Sequence, residues 1–120
     1  MRLCAIIPTY NNPQTIEEVV ARVREHIADV VVVDDGSKPE ARDVVEQLGD
    51  SGKCNVVFRE ANGGKGAAVK TGLAWARDNA FDYALQIDAD LQHDTADIPK
   101  LVAAVGEPAE KGTLVLAQPV

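Results

Sequence analysis

Aromatic side chains are scarce, at 4% of 120 residues, whereas hydrophobic types of all kinds reach 46%. The interior must therefore be aliphatic, as in an α/β core, and the length suits one compact domain spanning residues 1–120. Cysteine is equally sparse. Cys4 falls in an apparent strand and Cys54 near a loop, without disulfide-framework or metal-ligand spacing, so reduced thiols in a cytoplasmic compartment are expected. Positive charge is also short. A formal net charge of −7 would repel a phosphate backbone, which argues against a nucleic-acid partner and against docking on anionic lipid through this segment. Any phosphate ligand would need a local basic group or a metal. No apolar run approaches the ~20 residues of a membrane-spanning helix. Leu3-Cys4-Ala5-Ile6-Ile7 is too short for a secretory apolar core and lacks the usual basic lead. The chain reads as soluble, with no internal repeat or low-complexity linker. Its close on Leu114-Val115-Leu116-Ala117-Gln118-Pro119-Val120, an apparent strand with nothing after it, has the pattern of a truncated domain.

What is present is an alternation of short aliphatic runs with amphipathic segments, the order that produces an open, Rossmann-like, mainly parallel sheet with helices on both faces. Strands are expected over Leu3 to Ile7, Val30 to Val33, Asn55 to Arg59, Tyr83 to Ile87 and Thr113 to Ala117. Ile16, Val19, Val20, Val23 and Ile27 recur at helical spacing; Pro13 suits a first helical position and Thr15-Ile16-Glu17-Glu18 reads as a capping box. A second helix is expected from a capping-box pattern at Ser37-Lys38-Pro39-Glu40, with Ala41, Val44, Val45 and Leu48 on one face, to Gly49. Asp50 to Lys53 is then a turn. A third follows Gly66, packing through Ala67, Ala68, Leu73, Trp75 and Ala76. A fourth follows Asp94 or Thr95 through Ile98, Leu101, Val102 and Val105, with a polar connection at Glu107 to Lys111 before the last strand.

Ligands of an open parallel sheet collect beyond the carboxyl ends of its strands, and the unusual residues fall there. The strand ends deliver Pro8-Thr9-Tyr10-Asn11-Asn12, Asp34-Asp35-Gly36-Ser37, Asn62-Gly63-Gly64-Lys65-Gly66 and Asp88-Ala89-Asp90. Together they suggest a nucleotide site. Each alone has a plainer reading. Tyr10 can stack on a nucleobase or simply pack. Asp35 can accept hydrogen bonds from a base or ribose, but Asp34-Asp35-Gly36-Ser37 also suits a turn with a helix cap. The glycine-rich loop lets backbone approach a ligand and carries one cation, Lys65, at the opening of a helix, although it also serves as a flexible helix start. It is not a Walker A loop, because the leading glycine is missing and Gly66 rather than Ser or Thr follows Lys65, and it is not a dinucleotide fingerprint, since Val69 stands where the third glycine would.

Gln86-Ile87-Asp88-Ala89-Asp90-Leu91-Gln92-His93 ends an apolar run in two carboxylates one residue apart. In extended chain they point the same way, so both reach one hard cation, and Gln92 extends the stride with a neutral oxygen. Oxygen ligands of this kind suit Mg2+ or Mn2+ held chiefly with substrate phosphates. A solvated loop after a buried strand is the alternative. His93 fits hydrogen bonding better than metal ligation, and His26, in the first helix, reads as solvated.

Taken together and in order, Ile6-Ile7-Pro8-Thr9-Tyr10-Asn11, Val32-Val33-Asp34-Asp35-Gly36-Ser37, Asn62-Gly63-Gly64-Lys65-Gly66 and Gln86 to His93 resemble the family 2 glycosyltransferases of GT-A fold. The last motif, followed by Asp94, looks particularly like the polyprenyl-phosphate sugar synthases, which include dolichyl-phosphate mannose and glucose synthases. The resemblance covers essentially the whole chain but only the nucleotide-binding half of that family's catalytic domain. It implies that Pro8, Tyr10 and Asp35 hold the nucleoside, that Gly63, Lys65 and Gly66 approach the diphosphate, and that Asp88, Asp90 and Gln92 hold Mg2+ or Mn2+. Asp88 would also touch ribose, and Asp88 and Asp90 would be the catalytic pair. The implied reaction is inverting transfer of a hexose from a UDP- or GDP-sugar to a polyprenyl phosphate or glycan acceptor. It would take place in the cytoplasm or at the cytoplasmic face of a membrane, which only the remainder of a longer protein would contact. An anionic phosphate acceptor would lessen the need for a strong base.

Two other readings compete. A sugar nucleotidyltransferase would ordinarily carry a basic, Gly-rich loop directly after the first strand, and Pro8 to Asn12 contains no Gly, Lys or Arg. A noncatalytic nucleotide-sugar-binding module would result from truncation or decay, and the intact Asp88 and Asp90 speak against decay.

Overall fold

The computed structural model describes residues 2–89 in full and the backbone of 117–119. Asp90, Gln92, His93, the expected fourth helix, the polar connection and Thr113 to Leu116 lie outside the described residues. Elements run β1 (Leu3–Thr9), α1 (Ile16–Arg24), β2 (Val30–Asp35), α2 (Pro39–Asp50), β3 (Asn55–Arg59), α3 (Lys65–Asp78), β4 (Tyr83–Gln86) and β5 (Ala117–Pro119). They form one sheet in the order β3-β2-β1-β4-β5. Pairing is parallel from β3 to β4 and antiparallel between β4 and β5. A mainly parallel sheet is thus what the alternation produces, and among the described strands the antiparallel β5 stands at the edge, where Pro119 is tolerated.

β2 shows why the sheet is two-sided. All six of its residues are buried, and they alternate: Val30 and Val32 join the core under α1 and α2, while Val31 and Val33 join the core under α3. Ile16, Val19, Val20 and Val23 of α1 and Val45 and Leu48 of α2 complete the first core. Ala68 and Ala76 join the second, with Leu73 and Trp75 packed against it. Each fully buried Val, Ile or Leu contributes roughly 1.5–3 kcal/mol relative to exposure. Among the described residues no helix is long and apolar enough to cross a membrane.

Three helix starts differ from expectation. α1 begins at Ile16, so Pro13 lies in the preceding turn, and Thr15 is the N-cap without a side-chain cap bond. The Thr15 hydroxyl is instead donated to the Ala89 carbonyl, 2.5 Å away. α2 is capped by Lys38, with Pro39 at its start and no side-chain cap bond, and it runs one residue past Gly49. Ser37 is drawn away because its Oγ accepts the Asn11 N–H at 2.9 Å. α3 starts at Lys65, one residue before Gly66, behind Gly64 as N-cap. His26 is exposed in the turn that follows α1.

Sequential connections lead from β1 outward to β2 and β3, then return to β4 on the other side of β1. The crevice beyond β1 and β4 is therefore the topological switch point, where such sheets bind ligands.

Candidate functional site

At that switch point a cavity of about 400 Å³ opens, with Pro8, Tyr10, Asp35, Lys65 and Asp88 in its wall. Its rim is held by bonds that join one strand exit to the next. Beyond β1, Asn12 folds back so that its Oδ1 accepts the Thr9 hydroxyl and the Tyr10 N–H, each at 3.1 Å. Asn11 adopts a left-handed φ of 54°, which Asn tolerates better than most residues. It donates its N–H to Ser37 and accepts the Lys38 N–H at 2.8 Å, tying the β1 exit to the start of α2. Tyr10 is left 46% exposed at the mouth.

The β2 exit carries two buried carboxylates with different tasks. Asp34 Oδ2 accepts the Ser37 N–H at 3.1 Å, whereas its buried Oδ1 has no hydrogen-bond partner among the described residues. Asp35, 3% exposed, reaches the cavity wall. Its Oδ1 accepts Arg59 Nε at 2.8 Å and the Gly63 N–H at 3.0 Å, and its Oδ2 accepts the Gly64 N–H at 2.8 Å. With about four lone-pair directions on a carboxylate, roughly one acceptor position of Asp35 remains. Gly36 permits this approach of the two loops: a Cβ there would stand 2.6 Å from the Asn62 nitrogen, and its φ is +75°.

The glycine-rich loop delivers the cation. Gly64 holds φ at +91°, a region that L side chains avoid, and α3 starts on the next residue. Lys65 Nζ then meets Asp88 Oδ1 at 2.5 Å in the cavity wall, with the side chains 55% and 20% exposed. Asp88 follows directly on Ile87, whose N–H donates to the Ile6 carbonyl at 3.0 Å and so extends the β1–β4 pairing past β4. Gly63 contributes through its N–H to Asp35. Gly66 is exposed in the first turn of α3, with open space where a Cβ would lie.

Of the residues expected at the site, Pro8, Tyr10, Asp35, Lys65 and Asp88 thus surround one cavity, whereas Gly63, on the loop, and Gly66, in the first turn of α3, stand outside its lining. Asp90 and Gln92 lie outside the described residues. Sequence reasoning missed Arg59; it placed Asn12 and Asn62 in the strand-exit motifs without a role of their own, and read Thr15 as a helix cap rather than as the donor to Ala89. Arg59 carried no local signal: it ends β3 directly opposite Asp35, an opposite-charge pair that exists only once the parallel register is formed. The two thiols stay out of the site: Cys4 and Cys54 are unpaired, and burial pushes each up to about 11.

Asp88 fits a hard cation: a carboxylate at a strand end, facing the cavity where phosphate oxygens would complete the coordination. Among the described residues no group of three or more His, Cys, Asp or Glu side chains could hold a metal unaided.

Residues 4–117 match the sequence profile of Glycosyl transferase family 2. An uncharacterized protein of Methanocaldococcus jannaschii is 39% identical over 103 residues, which is 83% of this chain and 45% of that protein. The undecaprenyl-phosphate mannosyltransferase of Micrococcus luteus is 32% identical over 108 residues, covering 88% of this chain and 44% of the enzyme. Among solved structures, a mannosyltransferase from Pyrobaculum calidifontis in complex with GDP-Man and Mn2+ superposes with a TM-score of 0.72 and 26% identity. The match covers 89% of this chain and 33% of that one. The chain thus spans less than half the length of the curated relatives it matches.

Proposed function

The chain belongs to Glycosyl transferase family 2, and we propose that its cavity binds a UDP- or GDP-sugar from which a hexose passes, with inversion, to a polyprenyl phosphate. One observation carries this reading: Lys65 at the start of α3 and Asp88 just beyond β4 meet in the wall of a cavity at the switch point. A cation on a glycine-led helix start suits a diphosphate, and a carboxylate opposite it suits the diphosphate's metal.

In this assignment Pro8 and Tyr10 form the wall against the nucleoside, Tyr10 offering its exposed ring to the base. Asp35 supports that wall, since most of its acceptor capacity is taken by Arg59, Gly63 and Gly64. Lys65, with the neighbouring Gly63 and Gly66, would meet the diphosphate, exchanging its contact with Asp88 for phosphate oxygens. Asp88, Asp90 and Gln92 would hold Mg2+ or Mn2+, and Asp88 would also reach ribose. A bound divalent ion supplies positive charge that stabilises the departing nucleoside diphosphate. Because a phosphate acceptor is already anionic, its oxygen can attack the anomeric carbon without a strong base from the protein. The mannosyltransferase solved with GDP-Man and Mn2+ and the undecaprenyl-phosphate enzyme support the donor and acceptor classes respectively. The two unpaired thiols accord with a reducing cytoplasmic setting, at the inner face of a membrane where the acceptor is lipid-linked.

Calorimetric titration of GDP and UDP, with and without Mn2+, tests the reading. Binding should require the metal, and Asp88→Ala should weaken it by about tenfold or more, the scale of one lost charged contact. Metal-independent binding, or none to a demonstrably folded sample, would refute it.

A further inference from the structure

Arg59 stands behind the cavity rather than in its wall, yet it touches each part of the scaffold that aims Lys65. Its Nε donates to Asp35 Oδ1 at 2.8 Å, and its Nη1 donates to Thr71 Oγ1 at 2.6 Å and to the Ala67 carbonyl at 3.3 Å. One guanidinium thereby connects the end of β3, the end of β2 and the first two turns of α3. Asp35 passes the constraint on, because the same carboxylate accepts the Gly63 and Gly64 N–H groups at 3.0 and 2.8 Å. Those bonds hold Gly64 at its φ of +91°, and Lys65 is the next residue. The pair is largely sheltered, its side chains 27% exposed for Arg59 and 4% for Asp35, which strengthens it relative to a solvent-facing pair.

We infer that Arg59 is a positioning residue for diphosphate recognition. Acting through Asp35, it fixes the Gly63-Gly64 backbone and thereby sets where the Lys65 ammonium stands. The inference rests on the reading that this cavity takes a nucleoside diphosphate. A lysine at position 59 could keep one contact with Asp35 but not the planar fork that also holds Thr71, since an ammonium is a point charge. A small displacement of an aimed group costs far more in recognition than in fold stability.

The test compares nucleoside diphosphates with monophosphates. GDP, UDP, GMP and UMP are titrated in Mn2+ against wild type, Arg59→Lys, Arg59→Ala and Thr71→Val, with circular dichroism to verify folding. For Arg59→Lys, diphosphate affinity should fall about tenfold while monophosphate affinity stays within about twofold, and Thr71→Val should lose about threefold for diphosphates. Arg59→Ala should exceed both in diphosphate loss. A purely structural role would lower the competent fraction, and with it the stoichiometry, for all four nucleotides alike. That result, or unchanged diphosphate binding by folded Arg59→Lys, overturns the inference while leaving the proposed function standing. Wild-type protein that binds neither diphosphate overturns both.

Discussion

The two faces of the sheet solve different problems with the same strands. Under α1 and α2 the contacts are broad aliphatic side chains, Ile16, Val19, Val20, Val23, Val45 and Leu48, against Ile7, Val30, Val32 and Leu85. Under α3 the buried helix positions are Ala68, Gly72 and Ala76, small enough for the helix to lie close on the sheet and for Ala68 to join the cavity wall. The difference surfaces where the aliphatic run of β2 ends. Strand alternation puts Asp34 on the side of the first core and Asp35 on the side of α3, one residue apart. Asp34 caps a turn; Asp35 reaches the cavity and holds the glycine-rich loop. Parity along a strand, rather than residue type, separates a structural carboxylate from one that shapes a site.

The largest separation between the faces should come from the first core. Ile7, fully buried there, should cost about 2–5 kcal/mol on Ile7→Ala, read from urea unfolding. The molecules still folded should bind nucleotide as wild type does. A loss of affinity in the folded fraction would show that the faces are not independent.

The paired aspartates provide a sharper contrast of smaller size. Asp35→Asn weakens the charge-assisted bonds to Arg59, Gly63 and Gly64, so stability should fall by about 1–3 kcal/mol and diphosphate binding by about tenfold. Asp34→Asn keeps an oxygen for the Ser37 N–H and trades the desolvation cost of a buried charge for that of a neutral amide, two changes of opposite sign, so stability should move by less than about 1 kcal/mol. Nucleotide binding should not change. Equal effects from the two variants would collapse the distinction.

An effect confined to alkaline pH concerns the thiols, Cys4 in the core under α3 and Cys54 against the core under α1 and α2. Burial raises each from an ordinary 9.0 to about 11. The folded state therefore keeps protons that the unfolded chain releases above pH 9, so stability is intact below pH 9 and declines through pH 11. Urea midpoints across that range check the sign. Replacing both cysteines with alanine should flatten the decline.

Much of this was legible in the chain itself. The strand at Asn55–Arg59 has the expected bounds, and the other described parallel strands lie within two residues of theirs, because buried parallel strands read as continuous aliphatic runs. The polar strand exits converge on one cavity for the same reason. Helix caps were less legible. Thr15 and Ser37 carry the side chains of N-caps, yet Ala89 and Asn11 claim them from elsewhere in the fold. A local pattern cannot register a partner 74 residues away. Arg59 escaped notice because its importance lies in facing Asp35 across a register that only the assembled sheet fixes.

The most direct measurement is amide NMR of the labelled chain titrated with GDP or UDP, first alone and then with Mn2+. The account predicts that paramagnetic broadening requires nucleotide and concentrates on Gly63, Gly64, Lys65 and Asp88, sparing the amides of α1 and α2. Broadening centred on the α1 and α2 face, or no response around Asp88 with both ligands present, would contradict it.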